Sequence, residues 1–254
     1  MSEKNTERFS NRVGDYVKFR PHYPKEILPF LQTRFQIDPI HTPVVADIGS
    51  GTGISAELFL SADFNVTGVE PNKEMREKSL ELLGTYEKFH AVEGTAEATG
   101  LADHFADVII AGQAFHWFDK ALTKPEFKRI LKENGYVLLI WNERLTRSSF
   151  EKDYEDLIRL HGRNYLKVDH RNIHLEDIQA FFHPGTVSLS TFTNYQRFDF
   201  EGLKGRLLSS SYMPTQTDPG YAAMVSDLQT LFNTYQQEGF IQIDYDTNVY
   251  IGQF

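Results

Sequence analysis

From Pro43 onward the chain alternates short apolar runs with stretches whose apolar residues recur at helical spacing. The runs are Val44 to Ile48, Val66 to Val69, Phe89 to Val92, Val108 to Ala111 and Tyr136 to Trp141. Consecutive apolar positions in such short segments are the pattern of strands buried on both faces. Between them, Ile54 to Ala62, Lys73 to Leu83 and Pro125 to Lys132 carry helical periodicity, with Pro125 suited to a first turn. This order predicts an α/β fold: a doubly wound, mostly parallel sheet with helices on both faces.

The second half changes character. Phe150 to Leu166 predicts a strongly charged helix and Leu175 to Phe182 a shorter one, both placed above the sheet. Thr186 to Phe198 alternates, with Val187, Leu189, Thr191, Thr193 and Tyr195 on one side, and Phe240 to Phe254 alternates around Ile241, Ile243, Tyr245 and Val249. Both are expected to be strands that complete the sheet. Leu203 to Ser210 and Tyr221 to Gln237 are expected helices between them, the second through Met224, Leu228, Leu231, Phe232 and Tyr235. No repeat or low-complexity tract breaks the chain. One domain over residues 1–254 is expected: a helical cover at 1–40, a ligand-binding core at 43–142, a lid or insertion at 143–185, and a sheet-completing part at 186–254 with inserted helices.

Composition narrows the function classes. A net charge of -9, with 35 acidic against 26 basic residues and no Lys/Arg block, offers no track for phosphates, so nucleic acid is not the expected partner. The chain has no cysteine, which excludes disulfides, thiolate metal sites and cysteine nucleophiles and fits a cytoplasmic protein. No apolar run approaches the ~20 residues that span a bilayer, and Met1 to Arg20 is polar throughout. His161, His170, His174 and His183 are too scattered for a metal site, and no metal is expected.

The chemistry concentrates in one loop. Val44-Val45-Ala46-Asp47-Ile48-Gly49-Ser50-Gly51-Thr52-Gly53 is a strand entering a glycine-rich turn and then a helix, the place where an open α/β sheet binds ligands. Glycine opens backbone angles closed to other residues and lets a ligand lie against the peptide plane. The spacing is G-x-G-x-G, whereas the dinucleotide fingerprint is G-x-G-x-x-G; position 54 is Ile. Asp47 at the mouth of the loop would repel a pyrophosphate but pair with the ammonium of a methionine moiety, which favours S-adenosyl-L-methionine over NAD. Glu70, at the end of the second strand, is placed to accept the two hydroxyls of a ribose. The turn Glu93-Gly94-Thr95-Ala96-Glu97 offers small residues and backbone N–H groups beside an adenine ring.

Asp47-Ile48-Gly49-Ser50-Gly51-Thr52-Gly53, Glu70 and Gly94-Thr95-Ala96-Glu97 resemble the class I S-adenosylmethionine-dependent methyltransferases over about residues 43 to 142. Tyr16-x-x-x-Arg20-Pro21-x-Tyr23-Pro24 and Phe115-His116-Trp117-Phe118-Asp119 are similar to the type 11 group that includes trans-aconitate methyltransferases. The resemblance implies a seven-stranded Rossmann-like sheet with the last strand antiparallel and a helical lid. It also implies Asp47 and the glycine loop (Gly49, Ser50, Gly51 and Gly53) near the methionine half of the cofactor, Glu70 on the ribose and Ala96 near adenine, and Thr95 and Gln113 are further expected cofactor contacts.

Methyl transfer from a sulfonium is an in-line displacement with a good leaving group, so alignment and exclusion of water matter most. A carboxylate acceptor needs no base, whereas a hydroxyl or amine gains from one, and His116 after the fourth strand is the candidate. It is weighed against a histidine held within an aromatic cluster. Phe115, Trp117 and Tyr16 could face the sulfonium with their rings. Arg20 and Tyr23 could anchor an anionic acceptor or the cofactor carboxylate, and Ser210 and Tyr212 could donate hydroxyls to the acceptor. Glu151 to Arg159 is expected to be a solvated helix face. The expected function is methyl transfer to a small-molecule acceptor, a carboxylate or hydroxyl (O-methylation), by a monomer or homodimer. The alternatives are a non-catalytic S-adenosylmethionine-binding protein and an NAD-dependent oxidoreductase.

Overall fold

The structure, a computed structural model, describes residues 13–41, 43–163 and 175–254. Its elements in chain order are α1 (Val13–Phe19), α2 (Ile27–Phe35), β1 (Val44–Ile48), α3 (Ile54–Leu60), β2 (Asn65–Val69), α4 (Lys73–Leu83), β3 (Phe89–Val92) and β4 (Ala106–Gly112). A short 3-10 turn (Phe115–Trp117) leads to α5 (Lys120–Ile130), β5 (Leu131–Arg144), α6 (Ser149–His161) and α7 (Leu175–Phe182). Then follow β6 (Val187–Phe198), α8 (Phe200–Leu208), α9 (Tyr221–Tyr235) and β7 (Ile241–Gly252).

The seven strands form one sheet in the order β3-β2-β1-β4-β5-β7-β6. β1 to β5 run parallel, and β7 inserts antiparallel between β5 and β6. The expected Rossmann-like sheet with an antiparallel last strand is therefore present. Strand order reverses between β1 and β4, so the loops leaving these two strands flank the crevice where such sheets bind ligands.

Side-chain alternation explains the two faces. Val108 and Ile110 of β4 join Val45, Val66, Leu138, Ile27 and Phe59 on one face, covered by α2 and α3. Ile109 and Ala111 join Ile48, Val137, Leu139, Phe127 and Phe182 on the other, under α5 and α7. Each fully buried Val, Ile, Leu or Phe contributes roughly 1.5–3 kcal/mol, so the two layers hold β1 and β4 rigidly where their loops emerge. A third cluster joins α6, α8 and α9 to the far ends of β6 and β7 through Tyr154, Leu203, Leu228, Ile243 and Tyr245.

β5 outruns its neighbour. Gly112, the last residue of β4, pairs with Ile140, while β5 continues to Arg144, paired with Tyr245 of β7. This overhang pairs with the part of β7 that carries the third cluster, Arg144 opposite Tyr245.

Three expectations are corrected. The helix expected at Pro125 to Lys132 spans Lys120–Ile130 with Pro125 inside it, because Asp119 accepts from the amides of Ala121 and Leu122 and starts the helix earlier. Leu131 and Lys132 already belong to β5. Of the charged residues of α6, only Lys152, Asp153, Asp156 and Arg159 are solvated, whereas Glu151 and Glu155 are both 4% exposed. Glu151 closes a capping box with Ser148, and Glu155 pairs with Arg144 and Arg159. The same helix, expected to reach Leu166, ends at His161 with Gly162 as its C-cap; residues 164–174, with His170 and His174, lie outside the described residues.

Candidate functional site

The loop after β1 takes its shape from three glycines in the left-handed region, with φ of 70° at Gly49, 56° at Gly51 and 92° at Gly53. Gly49 cannot carry a side chain for a second reason: a Cβ there would sit 2.9 Å from the Cβ of Ala114. At Gly51 a Cβ would meet nothing within 4 Å, which leaves that peptide face open to a ligand. The amides of Gly49 and Ser50 donate to the Val69 carbonyl at 2.8 and 3.3 Å, and the Gly51 amide donates to Glu70 Oε2 at 2.9 Å. The loop is thereby fastened to the end of β2.

Glu70 is 8% exposed, and its Oε1 accepts from the Asn72 amide at 2.8 Å. Burial pushes its carboxyl above the ordinary glutamate range, opposed by the amides of Asn72 and Gly51 and by Arg76. Each oxygen keeps a further lone pair, the capacity that hydrogen-bonding to a diol requires.

Asp47 is fully buried behind the loop instead of standing at its mouth. Its Oδ2 accepts from Ser55 Oγ at 2.7 Å, while Oδ1 has no hydrogen-bond partner among the described residues. Burial pushes its carboxyl up to about 7, against the opposing hydrogen bonds of the Ser55 hydroxyl and the Ala56 amide. The hydroxyls of Ser50 and Thr52 are likewise buried without a partner among the described residues. Buried polar atoms without partners cost free energy, so three of them around one glycine loop fit a polar ligand with its own donors and acceptors.

A cavity opens beside these residues, lined by Gly49, Ser50, Thr52, Ser55, Gly112 and Gln113 and roofed by Arg20, Pro21 and Tyr23. Gln113, at φ 55°, turns the chain out of β4; its amide donates to the Ile140 carbonyl at 2.8 Å and its Nε2 to the Asn142 carbonyl at 3.1 Å. The roof is a strap clamped from the sheet. Asn142 Nδ2 donates to Pro21 O at 3.3 Å, Asn194 Nδ2 to His22 O at 2.7 Å, Gln196 Nε2 to Phe19 O at 3.1 Å, and Arg20 Nη2 to Ser209 O at 3.0 Å. Arg20 and Tyr23, far from the loop in sequence, are thus brought to it. Asn142, Asn194, Gln196 and Ser55 were not singled out from sequence; Asn142 ends an apolar run, and Asn194 and Gln196 look like outward positions of an alternating strand.

Other expected residues lie elsewhere. Phe115 is 0% exposed, edge-on to Phe181 at 4.8 Å and to Trp141 at 6.2 Å, so it is core and not an acceptor contact. His116 and Trp117 are half-buried on the 3-10 turn, their rings 4.7 Å apart, and His116 does not line this cavity. Ala96 is buried in the apolar layer beside Val69, and Thr95 bridges to Ala98 across the turn after β3. Ser210 is buried beneath α8, and Tyr212 is half-buried beyond it. Tyr16 lies on α1, with its side chain outside the described residues. Among the described residues no group of acids and histidines is arranged to hold a metal, and no helix is long and apolar enough to cross a membrane.

Known proteins resemble this chain in sequence and in fold. Residues 46–139 match the family model described as a methyltransferase domain. The chain is 32% identical over 154 residues to an uncharacterized methyltransferase of Mycobacterium tuberculosis, covering 61% of this chain and 60% of that one. It is 33% identical over 140 residues to another of Schizosaccharomyces pombe, covering 54% and 53%. The match thus spans less than two thirds of these relatives' length. Among solved structures, a candidate type II methyltransferase of Anaeromyxobacter dehalogenans aligns with TM-score 0.69 at 19% identity, over 92% of this chain and 98% of that one. A methyltransferase of Geobacter sulfurreducens in complex with S-adenosyl-L-homocysteine aligns with TM-score 0.54 at 16% identity, over 97% of each. At these identities the structural likeness establishes the fold.

Proposed function

The chain carries a methyltransferase domain at residues 46–139 on a class I methyltransferase fold, and from that premise we propose that it transfers a methyl group from S-adenosyl-L-methionine to a small-molecule acceptor. The observation that carries this reading is the loop itself: it is tied to Glu70 through Gly51 while Asp47, Ser50 and Thr52 keep buried polar atoms without partners. Bound there, the cofactor supplies an electrophilic methyl group on a sulfonium and departs as a neutral thioether.

The chain's residues divide the remaining work. Asp47 faces the amino acid half with its carboxylate behind the loop, Glu70 takes the ribose hydroxyls, and the turn at Thr95 and Ala96 borders the base. Gln113 and the strap of Arg20 to Tyr23 close the cavity against water, which favours an in-line approach of the acceptor to the methyl carbon. The acceptor presents an oxygen: its lone pair forms the new C–O bond as the C–S pair returns to sulfur. A carboxylate does this unaided, while a hydroxyl needs a base, for which His116, on the turn that follows Gln113, is the candidate. The acidic net charge supports a small acceptor over nucleic acid.

The test is calorimetric titration of the purified protein with S-adenosylhomocysteine and, separately, with NADH. Saturable binding of the first alone is expected. Binding of NADH alone would replace this reading with a hydride-transfer enzyme.

A further inference from the structure

Arg206 on α8 is a buried cation that the reading above does not use. It is 7% exposed, its Nε donates to the Tyr245 hydroxyl at 3.1 Å, and its Nη1 reaches Ser209 Oγ at 3.5 Å. Tyr154 and Tyr212 also face it. No carboxylate pairs with it among the described residues, and the nearby acids of α6 are committed elsewhere. Glu155 pairs with Arg144 and Arg159, and Glu151 accepts from the amides of Arg147 and Ser148. Tyr154 does not supply the missing charge, since burial pushes its phenol up to about 12.

A guanidinium taken out of water without a counter-anion costs free energy, and an apolar side chain of similar size would serve packing better. Its surroundings are instead neutral hydroxyl groups, and its planar donor fork matches carboxylate and phosphate oxygens. The position is fixed. At Gly205 the ring of Phe19 lies so close that a Cβ would come within 2.1 Å of it, so α8 packs directly on α1 with the next residue directed inward. The cluster also adjoins the cofactor cavity: Ser209, whose hydroxyl faces Arg206, accepts at its carbonyl from Arg20, and Arg20 lines the cavity with Gly49 and Gln113.

We propose that Arg206 anchors an oxyanion of the methyl acceptor, carboxylate or phosphate, so that the substrate class is a small anionic molecule. This rests on the methyltransferase reading, because the anchored molecule is the one that meets the methyl group. The experiment therefore begins by saturating the protein with S-adenosylhomocysteine; if the wild-type protein does not bind it, both readings fall together. The saturated protein is then titrated with malonate and, separately, with inorganic phosphate, in wild type, Arg206→Met and Arg206→Lys. The expected result is saturable binding of at least one anion, weakened about tenfold or more in Arg206→Met and less in Arg206→Lys, with S-adenosylhomocysteine affinity unchanged. Which anion saturates distinguishes carboxylate from phosphate. Normal S-adenosylhomocysteine binding with no anion binding in wild type would overturn the proposal, whether or not the variants fold. So would anion binding that Arg206→Met leaves intact.

Discussion

The backbone N–H of Gly51 donates to Glu70 Oε2 at 2.9 Å, so the carboxylate assigned to the ribose also sets the shape of the loop assigned to the methionine half. The two halves of the cofactor site are one mechanical unit. Glu70→Gln turns an NH2 group toward one of the two backbone donors, at Gly51 or Asn72. Calorimetry should show S-adenosylhomocysteine affinity lowered about tenfold or more, and denaturant melts a loss of about 1–2 kcal/mol. Unchanged affinity would remove Glu70 from the site.

Asp47 should give opposite pH slopes for stability and for binding. Its folded-state value of about 7 lies above its ordinary 3.8, so the folded chain holds the proton more tightly than the unfolded one. Its contribution is fully present below the unfolded value and is lost as pH rises through about 7. Asp47→Asn should remove that slope and stabilise the ligand-free protein at pH 8 by roughly 1–3 kcal/mol. The same change should weaken S-adenosylhomocysteine binding. In wild type that affinity should fall as pH drops from about 8 to 6, since the ammonium pairs with the ionised carboxylate. Flat stability across this range would show that Asp47 does not hold a proton there, and flat affinity that its protonation does not change on binding.

Gly49 and Gly51 share a backbone region but not surroundings. Gly49→Ala drives a methyl into Ala114 and should cost about 1–3 kcal/mol of stability as well as binding. Gly51→Ala meets no protein atom, so its stability cost should stay near 1 kcal/mol, while the ligand lying against that peptide loses affinity. Thermal melts with and without S-adenosylhomocysteine separate the two, and equal behaviour would show that no ligand approaches Gly51.

Adjacent residues on the 3-10 turn should fail differently. Phe115→Ala empties a fully buried site and should cost about 3–5 kcal/mol. His116→Ala should leave the melt nearly unchanged and lower turnover of hydroxyl acceptors about 10²-fold, with carboxylate acceptors little affected. Equal losses for both acceptor types would make His116 a positioning residue.

The alternation of apolar runs with helical periodicity was enough to predict the parallel core, because residues 44 to 141 bury local, regular faces. That Asp47, Glu70 and the glycines gather at one loop was legible for a similar reason: the loop is contiguous, and its glycines are demanded by backbone angles. The strap was only half legible. Arg20 and Tyr23 stood out as a motif, but Asn142, Asn194 and Gln196, which clamp it, act across more than 100 residues of chain and have no local spacing. Phe115 misled because an aromatic beside a site and one beneath it look alike in sequence. The charged stretch of α6 misled because Glu155 is buried by Arg144, a partner supplied by the overhang of another strand.

That overhang has a consequence for traffic. β5 runs four residues past the end of β4 and is hydrogen-bonded to β7 up to Arg144, and β7 is paired with β6 as far as Ile241. α6, α8 and α9 therefore rest on a continuation of the sheet and form a fixed wall instead of a swinging door. The strap at Arg20 to Tyr23 is joined to that wall by individual side-chain bonds, so it is the cheaper barrier to displace. Entry and exit should pass beneath it, and the lifetime of a bound ligand should depend on the hydrogen bonds that Asn142, Asn194, Gln196 and Arg20 contribute.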